Sequence, residues 1–182
     1  QRRLTSGARH VWNVRWSPDS RSIAFLVSPT GKPDDENQVD IGIVPAEGGT
    51  LRTLGVLGSP FAWSPDGSRI AYRMNNSWDE ERRNYRGGQN RPIWIVDLKT
   101  YDLVSPPWTD SKDVDPCWVG DTVFFISDRD GVANVWSFDT KARKLAQVTK
   151  FTDFDVKAMS SGAGAVVFEQ AGYVHELDPK SG

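Results

Sequence analysis

One strand–turn–strand unit returns along this 182-residue chain, and that return constrains its fold more than any other feature. The best-formed copy is Trp63-Ser-Pro-Asp-Gly-Ser-Arg-Ile-Ala-Tyr72, within Phe61–Tyr72. Its centre is a turn for physical reasons. Proline pre-sets φ, aspartate bonds its own backbone, and glycine accepts positive φ. The flanks are aromatic and β-branched, as strands require. A second copy is Trp16-Ser-Pro-Asp-Ser-Arg-Ser-Ile-Ala-Phe25. A third, shorter copy is Trp118-Val-Gly-Asp-Thr-Val-Phe-Phe125, and a fourth, without its tryptophan, runs from Met159 to Phe168. The anchors Trp16, Trp63, Trp118 and Met159 are spaced by 47, 55 and 41 residues. Several short strands per repeat of this length mark propeller blades.

Each unit continues alike. Third strands are expected at Ile41–Val44, Ile93–Val96, Val135–Phe138 and Val174–Leu177, and Asp97, Asp139 and Asp178 follow three of them. Fourth strands are expected at Thr50–Leu54, near Leu103–Ser105, and at Lys144–Thr149. The fourth unit stops short of one, and residues 1–5, which resemble the other fourth strands, are expected to supply it or to belong to a longer ring. The reading is therefore a single all-β propeller domain over 1–182. It has about four four-stranded antiparallel blades, at about 8–54, 55–109, 110–150, and 151–182 plus strand 1–5. Blades shaped for six- to eight-membered rings turn by about 45–60°, whereas a closed ring of four needs about 90°. An open arc, or two copies forming an eight-bladed ring, is favoured over a closed four-bladed ring. Two insertions break the period: polar Ser28–Val39, read as a surface loop, and the long Asn75–Arg91, with a short helical turn around Trp78–Arg83.

Composition narrows the function classes. Net charge is −2, so no basic footprint points to nucleic acid or an anionic membrane, and no apolar run has membrane-spanning length. The single cysteine, Cys117, excludes an internal disulfide and leaves the compartment open. No catalytic set, cofactor site or metal site is read. There is no Gly-x-Ser-x-Gly elbow, and only His10 and His175 offer imidazole bases. His175 lies mid-strand and reads as a packed residue; Cys117 reads as a small buried hydrophobe. Asp128-Arg-Asp-Gly131 lacks the spaced carboxylates of a calcium loop and reads as a turn.

The candidate contacts for a peptide or protein partner are Trp12, Trp78, Tyr85, Arg86, Asp113, Asp115, Asp153, Asp155 and Lys157. Trp16, Trp63 and Trp118 occupy equivalent positions and are expected between blades. Trp12, Trp78 and Trp108 fall outside that register and read as surface contacts. Tyr85 and Arg86 either meet a partner or pin their insertion. The pairs Asp113/Asp115 and Asp153/Asp155 precede inner strands, at a channel mouth, and Lys157 alternates with Asp155. They either bridge blades or form a polar entrance for peptides.

The Ser-Pro-Asp-Gly units resemble TolB-like, WD-related propeller blades. From about Tyr85 onward, Tyr85-Arg-Gly-Gly88, Trp118-Val-Gly-Asp121, Ser127-Asp-Arg-Asp-Gly131, Phe151-Thr-Asp-Phe-Asp-Val-Lys157 and Glu169-Gln-Ala-Gly-Tyr173 are similar to the N-terminal propeller of tricorn-type proteases. That resemblance implies a six-bladed, non-catalytic propeller attached to a serine peptidase and lining a passage for peptides. The chain departs from it by holding about four blades and no peptidase, PDZ or helical-bundle domain. Three readings follow: a propeller module for peptide or partner binding, a piece of a serine peptidase whose active site lies outside this chain, or an excised or engineered fragment. The shift in resemblance near Asn75–Tyr85 and the absence of an initiator methionine motivate the third.

Overall fold

Every copy of the repeat folds into its own antiparallel sheet. The computed structural model describes residues 2–5, 10–28, 39–56, 58–74, 84–88 and 90–179. Blade 1 comprises β1 (Val11–Trp16), β2 (Ser22–Val27), β3 (Asp40–Pro45) and β4 (Arg52–Thr53). Blade 2 comprises β5 (Gly58–Trp63), β6 (Arg69–Met74), β7 (Ile93–Asp97) and β8 (Leu103–Val104). Blade 3 comprises β9 (Asp113–Val119), β10 (Thr122–Ser127), β11 (Asn134–Asp139) and β12 (Lys144–Gln147). Blade 4 comprises β13 (Val156–Gly162), β14 (Ala165–Gln170) and β15 (Tyr173–Leu177). Strand order follows chain order in every sheet. The fold is an all-β propeller arrangement of four blades, with no helix among the described residues. The helical turn expected around Trp78–Arg83 lies outside the described residues.

Residues 2–5 do not form the expected pairing with the last blade. Residues 2–5 carry no strand, and the blade 4 sheet has three strands among the described residues. Arg2 Nη2 instead donates to the Ala46 carbonyl at 2.7 Å, which ties this segment to blade 1.

The turn chemistry holds each inner hairpin. Ser64 Oγ donates to Asp66 Oδ1 at 2.6 Å and accepts from the Arg69 amide at 2.9 Å. Ser17 and Asp19 repeat the first contact at the same distance. Gly67 takes φ +71° in one copy; Ser20, in its place in the other, is held at +59°. The donors from Ser64 and Ser68 lower the Asp66 carboxyl to about 2. A depressed carboxylate contributes stability above its unfolded value and loses it as the pH falls through its folded one. Asp66→Ala should therefore lower neutral-pH stability by about 1 kcal/mol or less, since solvent screens the site. In urea titrations the gap between variant and parent should close as the pH falls from 3.8 towards about 2.

Three cores join the blades in series. Leu26 and Ile41 of blade 1 meet Phe61, Ile70 and Tyr72 of blade 2. Ile93 and Ile95 meet Trp118, Val123 and Phe125 of blade 3. Phe124, Ile126 and Val135 meet Val156, Val166 and Phe168 of blade 4. Among the described residues no fourth core joins blade 4 to blade 1; Phe25, Val27 and Val44 form a cluster within blade 1 alone. This corrects the reading of Trp16. Trp118 is 5% exposed and Trp63 packs against the first core, but Trp16 is 59% exposed. The register is the same, but no preceding blade lies over it.

The handover between blades is clamped by a device without a sequence repeat. Buried Asp40 accepts from the amides of Gly55 and Val56. Buried Asn90 donates to the Asp110 carbonyl at 2.7 Å. Buried Asn134 accepts from the Phe151 amide at 2.9 Å and donates to its carbonyl at 3.0 Å. In each case one polar side chain before or at the start of a third strand satisfies the backbone that leaves for the next blade.

Candidate functional site: the central cavity

The four inner strands, β1, β5, β9 and β13, line one cavity of about 610 Å³. Its wall includes Asn13, Arg15, Trp16, Trp63, Asp115 and Met159. Each inner strand breaks register a few residues before its anchor: between Trp12 and Arg15, Gly58 and Phe61, Val114 and Cys117, and Val156 and Ala158. In the first three, two residues oppose one on the neighbouring strand. Such a bulge bends the strand and re-aims its side chains. Asn13 and Asp115 occupy equivalent bulge positions at φ 53° and 50°. Asparagine and aspartate tolerate this left-handed conformation better than other side chains that carry a Cβ. The bulges thus bring Asn13 and Asp115 to the wall of a cavity that Arg15, Trp16, Trp63, Met159 and Ser161 also line.

Electrostatics couple the wall residues. Burial pushes the Cys117 thiol up to about 12, Asp115 adds to that, and Ser161 and Arg15 act against it. The thiol is protonated at neutral pH, which fits the expected buried hydrophobe and removes its nucleophilic form. His175 is half-buried, its ring stacked on Phe168 with centroids 5.0 Å apart and beside Phe151 at 5.7 Å. It packs as a strand residue.

The candidate contacts separate. Among the described candidates only Asp115 lines the cavity. Asp113 is no channel-mouth residue. It is fully buried and accepts from Ser111 Oγ at 2.8 Å, Ser127 Oγ at 2.6 Å and Arg129 Nη2 at 2.9 Å. Asp153 accepts from Gln170 Nε2 at 3.1 Å within blade 4, and Asp155 accepts from the Ala133 amide of blade 3 at 2.8 Å. Lys157 is exposed at the β13 bulge, which breaks its expected alternation with Asp155. Trp12 is half-buried against the core of blades 1 and 2 and lies beside His10, with centroids 4.8 Å apart. Trp108 stays partly exposed, its indole donating to the Ser111 carbonyl. Trp78 lies outside the described residues.

Arg86 reaches from the returning end of the insertion to blade 3, whereas the contacts of Tyr85 stay within the insertion. Arg86 Nη1 pairs with Asp128 at 3.1 Å and its Nη2 donates to the Asp128 carbonyl at 2.9 Å. The amides of Asn84 and Lys112 complete the set on the Asp128 carboxylate. Tyr85 accepts through its carbonyl from Asn90 and from Arg86. Asp128-Arg-Asp-Gly131 is a turn, closed by the Gly131 amide on the Asp128 carbonyl, and its aspartate also serves as this anchor.

The model of the tricorn protease N-terminal beta propeller domain matches residues 1–182. The chain belongs to this family. One family model spans both halves of this tricorn-type propeller. The chain is 35% identical over 101 residues to the tricorn protease homolog of Saccharolobus solfataricus, which is 54% of this chain and 9% of that protein. It superposes on the solved tricorn protease with a TM-score of 0.57 at 19% identity, covering 98% of this chain and 22% of that one. TolB from Acinetobacter baumannii gives a TM-score of 0.68 at 20% identity, covering 98% and 43%. Likenesses at these identities establish the fold. The chain spans 8–10% of the length of the first curated relatives it matches. The sequence reading missed Asn13 and Arg15. The signal was present in Asn13 and Asp115, two residues of αL-tolerant type three places before their anchors.

Proposed function

We propose that this tricorn-type propeller is a non-catalytic module that binds an extended peptide or a partner's chain segment at its central cavity. One observation carries the reading: all four inner strands bulge into a shared cavity where Arg15 and Asp115 stand among the indoles of Trp16 and Trp63. An extended chain offers what such a wall recognises: backbone amides and carbonyls, charged termini, and side chains that lie on aromatic faces. The protonated Cys117 and the packed His175 support a binding role over covalent chemistry. Within a longer protease, such a module would present peptides to an active site carried by other parts of the polypeptide.

The test is fluorescence anisotropy with a labelled pool of short unstructured peptides. Saturable binding is expected. Arg15→Glu should weaken it about tenfold, as loss of one well-placed charged contact does. Asp115→Asn keeps the αL-tolerant geometry while removing the charge, and should shift the preference towards peptides with fewer basic groups. Equal binding by parent and Arg15→Glu would remove the cavity from the proposal. Hydrolysis of the pool by the purified chain would overturn its non-catalytic half.

A further inference from the structure

A second chamber, of about 510 Å³, adjoins the cavity at the turn end of the inner strands. Pro18, Trp63, Pro65, Trp118 and Val119 line it together with residues 161–164 of blade 4. Trp63 and Ser161 also line the cavity, so one extended ligand can span both spaces. The two indoles come from blades 2 and 3, each of which packs against a neighbour on both sides. The chamber differs from the cavity in charge. Among the described residues that line it none is charged, whereas Arg15 and Asp115 line the cavity. The carboxylates of the surrounding turns are engaged elsewhere. Asp19 accepts from Ser17 Oγ and the Arg21 amide, Asp66 accepts from Ser64 Oγ and the Ser68 amide, and Asp121 pairs with Lys141 at 2.8 Å. The fourth turn has no carboxylate, since residues 161–164 are Ser-Gly-Ala-Gly. Trp118 donates its indole N–H to the Gly120 carbonyl at 3.1 Å, and Trp63 Nε1 is buried. The indoles thus offer ring surface rather than donors.

We infer that this chamber is an apolar subsite, and that the peptide bound at the cavity carries an aliphatic or aromatic residue beside its charged or polar part. The inference rests on the peptide-binding reading of the cavity and adds the class of residue that the site selects. An uncharged wall that adjoins a charged one asks for the same contrast in its ligand. A charged side chain would lose water here without finding a partner. An apolar side chain leaves water for indole and proline faces. The fourth turn keeps the space open. A Cβ placed on Gly162 meets no atom within 4 Å. Gly162 is not among the glycines held at positive φ, so its backbone accepts a side chain and the room beside it is what glycine preserves.

The test is fluorescence anisotropy on the full 182-residue chain with short labelled peptides of equal net charge. Each peptide carries one leucine at a different position, and its matched control has glutamine there. At a favoured position leucine should bind about tenfold tighter than glutamine. Gly162→Leu, with circular dichroism confirming the β fold, should bring the two peptides to within about twofold of each other, because its side chain fills the chamber. Val119→Ser is the second variant and should shrink the preference at least about threefold. Arg15→Glu should weaken both peptides and leave their ratio unchanged. Equal binding of leucine and glutamine peptides at every position, with saturable binding retained, would overturn the subsite and leave the cavity reading standing. A preference that persists unchanged in the folded variants would also overturn it. Absence of saturable binding by every peptide would overturn the cavity reading and the subsite together.

Discussion

Asp113→Ala should lower the thermal midpoint of this chain by roughly 10 °C, from a loss of about 3–5 kcal/mol. The reason lies in what the carboxylate leaves behind. Asp113 and Arg129 form a fully buried pair at 2.9 Å, with side-chain exposures of 0% and 5%. Two hydroxyls, Ser111 and Ser127, also donate to the carboxylate. The Arg129 guanidinium lies over the rings of Trp136 and Phe125, at 4.8 and 5.4 Å from their centroids. Removing Asp113 strands a buried cation and two hydroxyls among aromatic rings, and an uncompensated buried charge is among the most damaging changes a core can suffer. Burial pushes the Asp113 carboxyl upward, and Arg129 and the hydroxyls pull against it. The pair as a whole therefore adds little net stability. The double variant Asp113→Leu with Arg129→Met should recover at least half of the loss. Urea melts of the two singles and the double form the cycle that measures this. A loss below about 1 kcal/mol for Asp113→Ala would show that the pair is hydrated rather than buried.

The contrast between Asp113 and the turn aspartates shows what the sequence made legible. Ser64-Pro-Asp-Gly67 sets its own geometry: its donors and acceptors lie within five residues of one another, so local chemistry decides it. The same holds for Asp97 and Asp139, whose carboxylates accept from amides two and three residues on. The repeat of such local units carried the all-β blade architecture and the places of the third strands. Asp113 looked like the partner of Asp115 because the two are neighbours in sequence. A bulge separates their fates, sending Asp115 to the cavity and leaving Asp113 in the interior. Register breaks of this kind depend on the opposing strand, which one strand's pattern does not contain. Trp16 shows a second limit. Its Trp-Ser-Pro-Asp stretch is that of Trp63, but burial depends on whether another blade lies over it. The clamps at Asp40, Asn90 and Asn134 show a third, since they share a task while their residue type and their spacing to the backbone they hold vary.

For function, this divides the polar residues into two groups. Asp113, Asp128, Asp155 and the clamps spend their hydrogen-bonding capacity on the protein's own backbone and side chains. Arg15, Asn13 and Asp115 stand on a concave wall formed by all four repeats. The sequence singled out aspartates because they recur. At the bulge positions, geometry turns a core-type strand into a surface that meets solvent.

Asp128→Ala should release the segment around Tyr85–Gly88 from blade 3, and limited trypsin digestion should then cut at Arg86 at least about tenfold faster. Asp128 is 2% exposed, and its carboxylate receives the amides of Asn84 and Lys112 together with the Arg86 guanidinium. These donors come from two blades, so one carboxylate fixes the returning end of the long insertion to its neighbour. With alanine there, two partly buried amides and a guanidinium lose their acceptor, at a cost of about 3 kcal/mol. That cost is local, because the segment contributes little to the apolar cores and can open while the blades stay folded. The midpoint of global unfolding should therefore move less than the cleavage rate. Asp128→Asn keeps one acceptor oxygen and should give an intermediate rate. Arg86→Lys keeps the charge but loses the two-pronged contact with the Asp128 carboxylate and carbonyl, and should also fall between. Equal cleavage of Asp128→Ala and parent would show that the insertion is held by contacts other than this carboxylate. If the cavity binds peptides as proposed, the same variant discriminates two roles for the insertion. Unchanged peptide affinity would make the clasp structural. A drop parallel to the cleavage rates would make the pinned segment part of the binding surface.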